Sequence, residues 1–192
     1  DDGPEVLVNF ARQLDFPLLM ANADLTGEPE LRDELARSTV IEVAGEEIGV
    51  IGITPVDTPE LASTGNVIFT TPRDAVQAEV DALTEAGVNK IILLSHSGYN
   101  ADIALAEAVT GVDVIIGGHS HTLFSNTIDG ATAPYPLMVN DVAIVQAYAY
   151  GKFLGELNVT FDNDGNLTAA TGEPILLDAS VAEGEAIIAR IA

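Results

Sequence analysis

Apolar positions along the chain change period several times, and each change marks an element. Over residues 4–14, Val6, Leu7, Phe10, Ala11 and Leu14 recur at helical spacing and predict a short helix. Residues 17–23 are a compact apolar run and predict a buried strand, whereas residues 27–37 are polar and predict a loop with one helical turn. Residues 39–43 and 47–54 flank Ala44-Gly45-Glu46, the pattern of an antiparallel hairpin. Ile48, Val50, Ile51 and Ile53 make the second of these strands almost unbroken in apolarity, as expected of a central strand covered on both faces.

A helix follows, with Thr71 as N-cap, Pro72 at the first helical position and Asp74 in the first turn. Val76, Val80 and Leu83 form its apolar stripe, and Gly87 ends it. Residues 90–95 predict a strand, 100–109 a helix and 112–116 another strand. A strand–helix–strand unit implies parallel strands joined by a right-handed crossover. Beyond a loop at 128–136, residues 142–148 and 153–161 read as strands. Asp162-Asn163-Asp164-Gly165 is a turn signal, 167–177 its returning strand, and 180–191 a terminal helix. The fold class is α/β.

Composition narrows the picture. The 192 residues carry 7 Lys and Arg against 30 Asp and Glu, a formal net charge of −23, with an apolar share of 47 % and no Cys. Seven scattered cations cannot build a basic patch, which argues against nucleic acid and against anionic lipid. No apolar run reaches the roughly 18 residues of a membrane span. Without Cys there is no disulfide framework, iron–sulfur site or thiol nucleophile. The Val, Ile and Leu content excludes acidic disorder, so the charge reads as a solvated surface, with adaptation to salt as the alternative. Because the chain begins Asp1-Asp2-Gly3 without Met, further residues are expected upstream. Asn158 and Asn166 head glycosylation sequons of a kind that arises often by chance.

The chemistry concentrates in one window. The three histidines of the chain, His96, His119 and His121, all follow apolar strands of the crossover unit. They therefore belong at the carboxyl edge of parallel strands, where α/β sheets place their ligands. If residues 119–121 are extended, His119 and His121 face the same way and Ser120 turns aside. Gly117-Gly118 removes two side chains and lets backbone approach a bound ion or oxyanion. Imidazole suits zinc, manganese or iron. The bland alternative is satisfied polar residues at strand ends. A Ser-His-Asp arrangement using Ser95 or Ser97 is a third, without the usual nucleophile elbow.

Leu94-Ser95-His96-Ser97-Gly98-Tyr99 and Val114 to Thr122, with Gly117-Gly118-His119-Ser120-His121 at their centre, resemble the last two metal motifs of the calcineurin-like metallophosphoesterases. More narrowly they resemble the catalytic domain of the 5′-nucleotidase family. Asp1 to Leu7, the run Phe16 to Asn22, and Val145-Gln146-Ala147 with Tyr150 to Gly155 are similar to other stretches of that domain. The resemblance implies a layered α/β/β/α sandwich, here partial, with residues 1–179 in the domain and 180–192 starting a helix toward another. It implies a two-metal centre (zinc, manganese, iron, magnesium or cobalt) that activates water against a phosphate ester. His96 and His119 would hold one ion and His121 the other, while Asp1 would match an Asp that supports a catalytic His.

The family's earlier metal motifs, including its bridging carboxylate, are not in this sequence. The expected function is therefore part of a periplasmic or secreted phosphoesterase acting on a small phosphorylated substrate such as a nucleoside 5′-monophosphate, inactive by itself. Family members acting on cyclic nucleotides, UDP-sugars or sulfur esters share these motifs. A mononuclear three-histidine zinc hydrolase and a non-catalytic metal-binding or interaction domain are the alternatives.

Overall fold

The computed structural model describes residues 2–191. Helix α1 (Pro4–Ala11) starts on a proline, whose missing N–H costs nothing in a first turn. Two short strands follow, β1 (Leu18–Leu19) and β2 (Ala23–Asp24), then helix α2 (Pro29–Glu34) and β3 (Leu35–Ala36). Next come β4 (Ser38–Val43), β5 (Glu46–Ile53), the single turn α3 (Thr58–Leu61) and β6 (Ile68–Phe69). The crossover unit is α4 (Pro72–Glu85), β7 (Ile91–Ser95), α5 (Tyr99–Ala108) and β8 (Val114–Ile116). Strands β9 (Leu137–Val139) and β10 (Val142–Val145), the long hairpin β11 (Phe153–Phe161) and β12 (Leu167–Leu176), and α6 (Glu185–Ile191) complete the chain.

Six strands form the main sheet in the order β4-β5-β7-β8-β10-β9. The inner four are parallel, and the outer two run antiparallel to them. Burial explains the order: β5 is buried from Val50 to Ile53 and β10 throughout, as central strands covered on both faces must be. Ile51, Leu93, Ile115 and Ile144 face α4 and α5, packing with Val76, Val80, Leu83, Leu105 and Ala106. On the opposite face, β1 crosses Gly52 so closely that a Cβ there would lie 2.5 Å from that of Leu19. Farther along that face, Leu94 and Ile116 are register neighbours and stay 41 % and 43 % exposed.

The hairpin reading of β4 and β5 holds, with Ala44 and Gly45 both at positive φ as a two-residue turn of this hand requires. The parallel crossover unit and the β11–β12 hairpin hold too. Gly165, at the hairpin tip, abuts Asn89, whose Nδ2 donates to the Asp164 carbonyl at 2.9 Å.

Several expectations are corrected. Residues 17–23 are not one strand: β1 pairs parallel with β3, whereas β2 pairs antiparallel with β6. The cause is Asn22, fully buried, whose amide donates to the Thr54 carbonyl (2.7 Å) and accepts from the Thr54 N–H (2.9 Å), turning the chain out of the first pairing. The polar stretch 27–37 holds a helix and a strand rather than a loop with one turn. Thr71 is the N-cap residue of α4, but its side chain makes no capping bond. The strand expected at 142–148 stops at Val145, because residues 146–148 leave the sheet to bond the Thr122–Phe124 segment. Helix α6 is shorter than expected and buries nothing.

Two polar groups, Asn22 buried and Asp113 half-buried, generate stability predictions. Asn22→Ala strips the Thr54 N–H and C=O of their partners, and each orphaned group costs about 1–3 kcal/mol, so urea denaturation should show a loss of several kcal/mol. Burial pushes the Asp113 carboxyl up to about 6, although it accepts from the Ile91 N–H. A raised carboxyl contributes stability that is present below its unfolded value and lost as pH rises through about 6. In Asp113→Asn, the fall in unfolding midpoint between pH 4.5 and pH 7.5 should therefore shrink.

Candidate metal centre at the carboxyl edge of the sheet

Strands β7 and β8 end side by side, and the histidine segments leave from those ends. His96 follows β7 directly, its N–H donating to the Ile53 carbonyl (3.1 Å) and so prolonging the β5–β7 ladder. Gly117 prolongs the next ladder in the same way, its N–H donating to the Val145 carbonyl at 2.8 Å. Both segments therefore leave the sheet at fixed points, and helix α5 starts beside them after Gly98 at φ 93°.

The turn beyond β8 differs from the extended form expected from alternation. His119 has φ 64° and His121 φ 50°, both left-handed, a region in which His is several-fold enriched over most residues. The Ser120 N–H reaches the Gly118 carbonyl (2.7 Å) and closes a tight turn on His119. Ser120 is not turned aside: its hydroxyl accepts from the Tyr99 N–H and bonds Gln146 and Thr122. The Gly-Gly pair is there for space. A Cβ on Gly118 would lie 3.0 Å from His96 Nδ1, and one on Gly117 would lie 2.5 Å from Asp102 Oδ2.

The result brings two of the three imidazoles together. The rings of His96 and His119 stand edge to face with centroids 5.3 Å apart. His121 lies beyond them, its ring against Tyr150 at 5.0 Å. Tyr150 is 88 % exposed and itself left-handed at φ 59°. Desolvation, aided by the neighbouring His119 and His121, holds the His96 imidazole below its ordinary pKa, which favours the neutral, ligating form. Among the described residues, no group of three or more histidine or carboxylate side chains converges to hold an ion. The donor set thus fits part of a metal centre, two imidazoles with a third nearby, and lacks a carboxylate. Asp1 lies outside the described residues.

The Ser-His-Asp alternative finds no support in this geometry. Ser95 Oγ donates to Asp102 Oδ1 with no histidine between them, and Ser97 Oγ, buried, has no partner among the described residues. Sequence reasoning missed Asp102, Gln146 and Tyr150. Asp102 sits six residues beyond His96 in the first turn of α5, where a carboxylate reads as an ordinary helix-start residue.

Comparison with known proteins finds relatives over the whole length of the chain. No family model matches the chain. A 5′-nucleotidase of Diplobatis ommata is 42 % identical over 205 residues, covering 100 % of this chain and 35 % of that protein. A snake venom 5′-nucleotidase of Naja atra is 39 % identical over 204 residues, covering 100 % of this chain and 39 % of that protein. Among solved structures, a 5′-nucleotidase precursor from Thermus thermophilus superposes with a TM-score of 0.92 at 40 % identity, over 98 % of this chain and 39 % of that one. A calcineurin-like phosphoesterase from Bacillus subtilis, 20 % identical, shares the fold with a TM-score of 0.78 over 98 % of this chain and 64 % of that one. The chain spans little more than a third of the length of the curated relatives it matches. Over that span, by sequence and by fold, it belongs to the 5′-nucleotidase family of hydrolases, built on the calcineurin-like phosphoesterase architecture.

Proposed function

We propose that this chain is part of the catalytic domain of a metal-dependent phosphoesterase that hydrolyses nucleoside 5′-monophosphates or related esters. The carrying observation is the His96–His119 ring pair at the ends of adjacent parallel strands, with His121 two residues further along the same turn. In this reading His96 and His119 would hold one divalent ion and His121 the other. When bound, such ions neutralise the phosphate and lower the pKa of the attacking water. The chain's own residues hold the imidazoles at fixed exits from the sheet, while Gly117 and Gly118 clear space beside them. Residues 1–179 belong to the catalytic domain and 180–192 begin a connection to another, a division supported by the unpacked α6. Among the described residues no helix is long and apolar enough to cross a membrane. Export to a periplasm or the outside is part of the proposal, and the venom relative supports it.

The mononuclear three-histidine alternative fits less well, because His121 packs on Tyr150 instead of joining the other two rings. The metal reading predicts stabilisation by ligand. At a hundredfold excess of Zn²⁺ or Mn²⁺ over its dissociation constant, the unfolding midpoint should rise by about 5–10 °C, and His119→Ala should abolish the rise. No midpoint shift in the unsubstituted chain would sink the proposed centre. With three imidazoles and no bridging carboxylate, the chain alone should release phosphate from AMP near the background rate, and robust turnover with either metal would refute that expectation.

A further inference from the structure

Close to the histidine turns lie two buried polar side chains. Asp102 on α5 is fully buried, and Gln146, directly after β10, is 2 % exposed. Each is half satisfied. Among the described residues, Ser95 Oγ donates to Asp102 Oδ1, whereas Asp102 Oδ2 has no partner. Among the same residues, Gln146 Oε1 accepts from the Thr122 N–H and the Ser120 hydroxyl, whereas Gln146 Nε2 has none. One acceptor and one donor are thus left over, and both converge on Gly117. A Cβ there would lie 2.5 Å from Asp102 Oδ2 and 3.2 Å from Gln146 Nε2. The two atoms are therefore no more than about 6 Å apart, a span that one bridging water closes. Left open, each would be a desolvated polar group without a partner, which folded proteins rarely tolerate.

We infer that Asp102 and Gln146 form a single polar strut, closed by one enclosed water beside Gly117, that positions all three histidine segments at once. Its ends account for each segment. Ser95 immediately precedes His96, Gly117 leads into Gly118 and His119, and Ser120 and Thr122 flank His121. The strut also answers a cost in the backbone. Left-handed residues such as His119 and His121 are strained and persist only where surrounding bonds fix them. Asp102 and Gln146 are positioning residues: they act through the turns that carry the histidines. The inference rests on the histidines being metal ligands, as proposed above.

The test is a reciprocal exchange, read by zinc titration of the whole chain at 25 °C. Asp102→Asn leaves two amide groups opposed, and Gln146→Glu leaves two carboxylates opposed. Each should weaken zinc binding at least tenfold, as loss of an outer support of metal ligands does. The double variant again sets a donor against an acceptor while keeping the Ser95, Ser120 and Thr122 partners, and should return to within about threefold of the unsubstituted chain. Single variants that keep full zinc affinity, or a double variant no tighter than the weaker single, would overturn the strut. A role confined to folding would lower the unfolding midpoint without changing affinity, which also overturns it. If Asp102→Asn folds poorly, Gln146→Met, which keeps volume and deletes both amide atoms, should show the same loss of affinity, and undiminished affinity there overturns the strut. Failure of the metal reading is separately visible as an unsubstituted chain that binds no zinc. The strut is then judged by unfolding free energies, where non-additive single losses support it and additive ones overturn it.

Discussion

Four parallel strands ending at one edge are the constraint from which the rest of this molecule follows. β5, β7, β8 and β10 run the same way, so the chain must return across the sheet between them and leave it each time at the same rim. The ladder bonds that hold the strands do not stop at their last residues. They continue into His96 and Gly117, so the backbone pairing that builds the core also sets where the chemical side chains begin. Packing fixes the strands from behind: Ile51, Leu93, Ile115 and Ile144 press on α4 and α5, and any shift of register would carry the histidines out of reach of one another.

This explains what was legible beforehand. Strands β5, β7 and β8 and helix α4 are written in local periodicity, because each buries a face whose spacing the sequence must respect. The placing of His96, His119 and His121 at one rim followed from that alone. The form of the His119–His121 turn did not. Left-handed backbone at two histidines is imposed by distant bonds, from Tyr99 and Gln146 to Ser120 and Thr122, that no local pattern announces. The same holds for the stretch 17–23, where a strand-like apolar run is cut in two by one buried amide reaching Thr54, 32 residues away. Local apolarity decides which residues are inside; buried polar groups decide where the chain bends.

The charge of −23 also takes a sharper meaning. Arg12, Arg32, Arg37, Arg73 and Lys90 each stand beside a carboxylate, mostly at the surface, where such pairs are worth little. Lys152 lies over the rings of Tyr148 and Phe153. None of these cations is among the groups bonded around the histidine turns. An anionic ester approaching that rim would meet imidazoles, hydroxyls and backbone on a strongly negative molecule. Under the proposed function, charge neutralisation there would come from bound cations, which imidazole side chains are suited to recruit.

Two features of this edge then read as one. Among the described residues the donor set at the rim has imidazoles and no carboxylate, and the sheet just behind it has an apolar pair, Leu94 and Ile116, open on the face away from the helices. Inner parallel strands are ordinarily covered on both faces, so the opening departs from the packing rule as the donor set departs from that of a two-metal site. The departures are adjacent in sequence as well as in space. Leu94 stands two residues before His96, and Ile116 immediately precedes the Gly-Gly turn that leads to His119. A layer packed on Leu94 and Ile116 would therefore end at the histidines themselves.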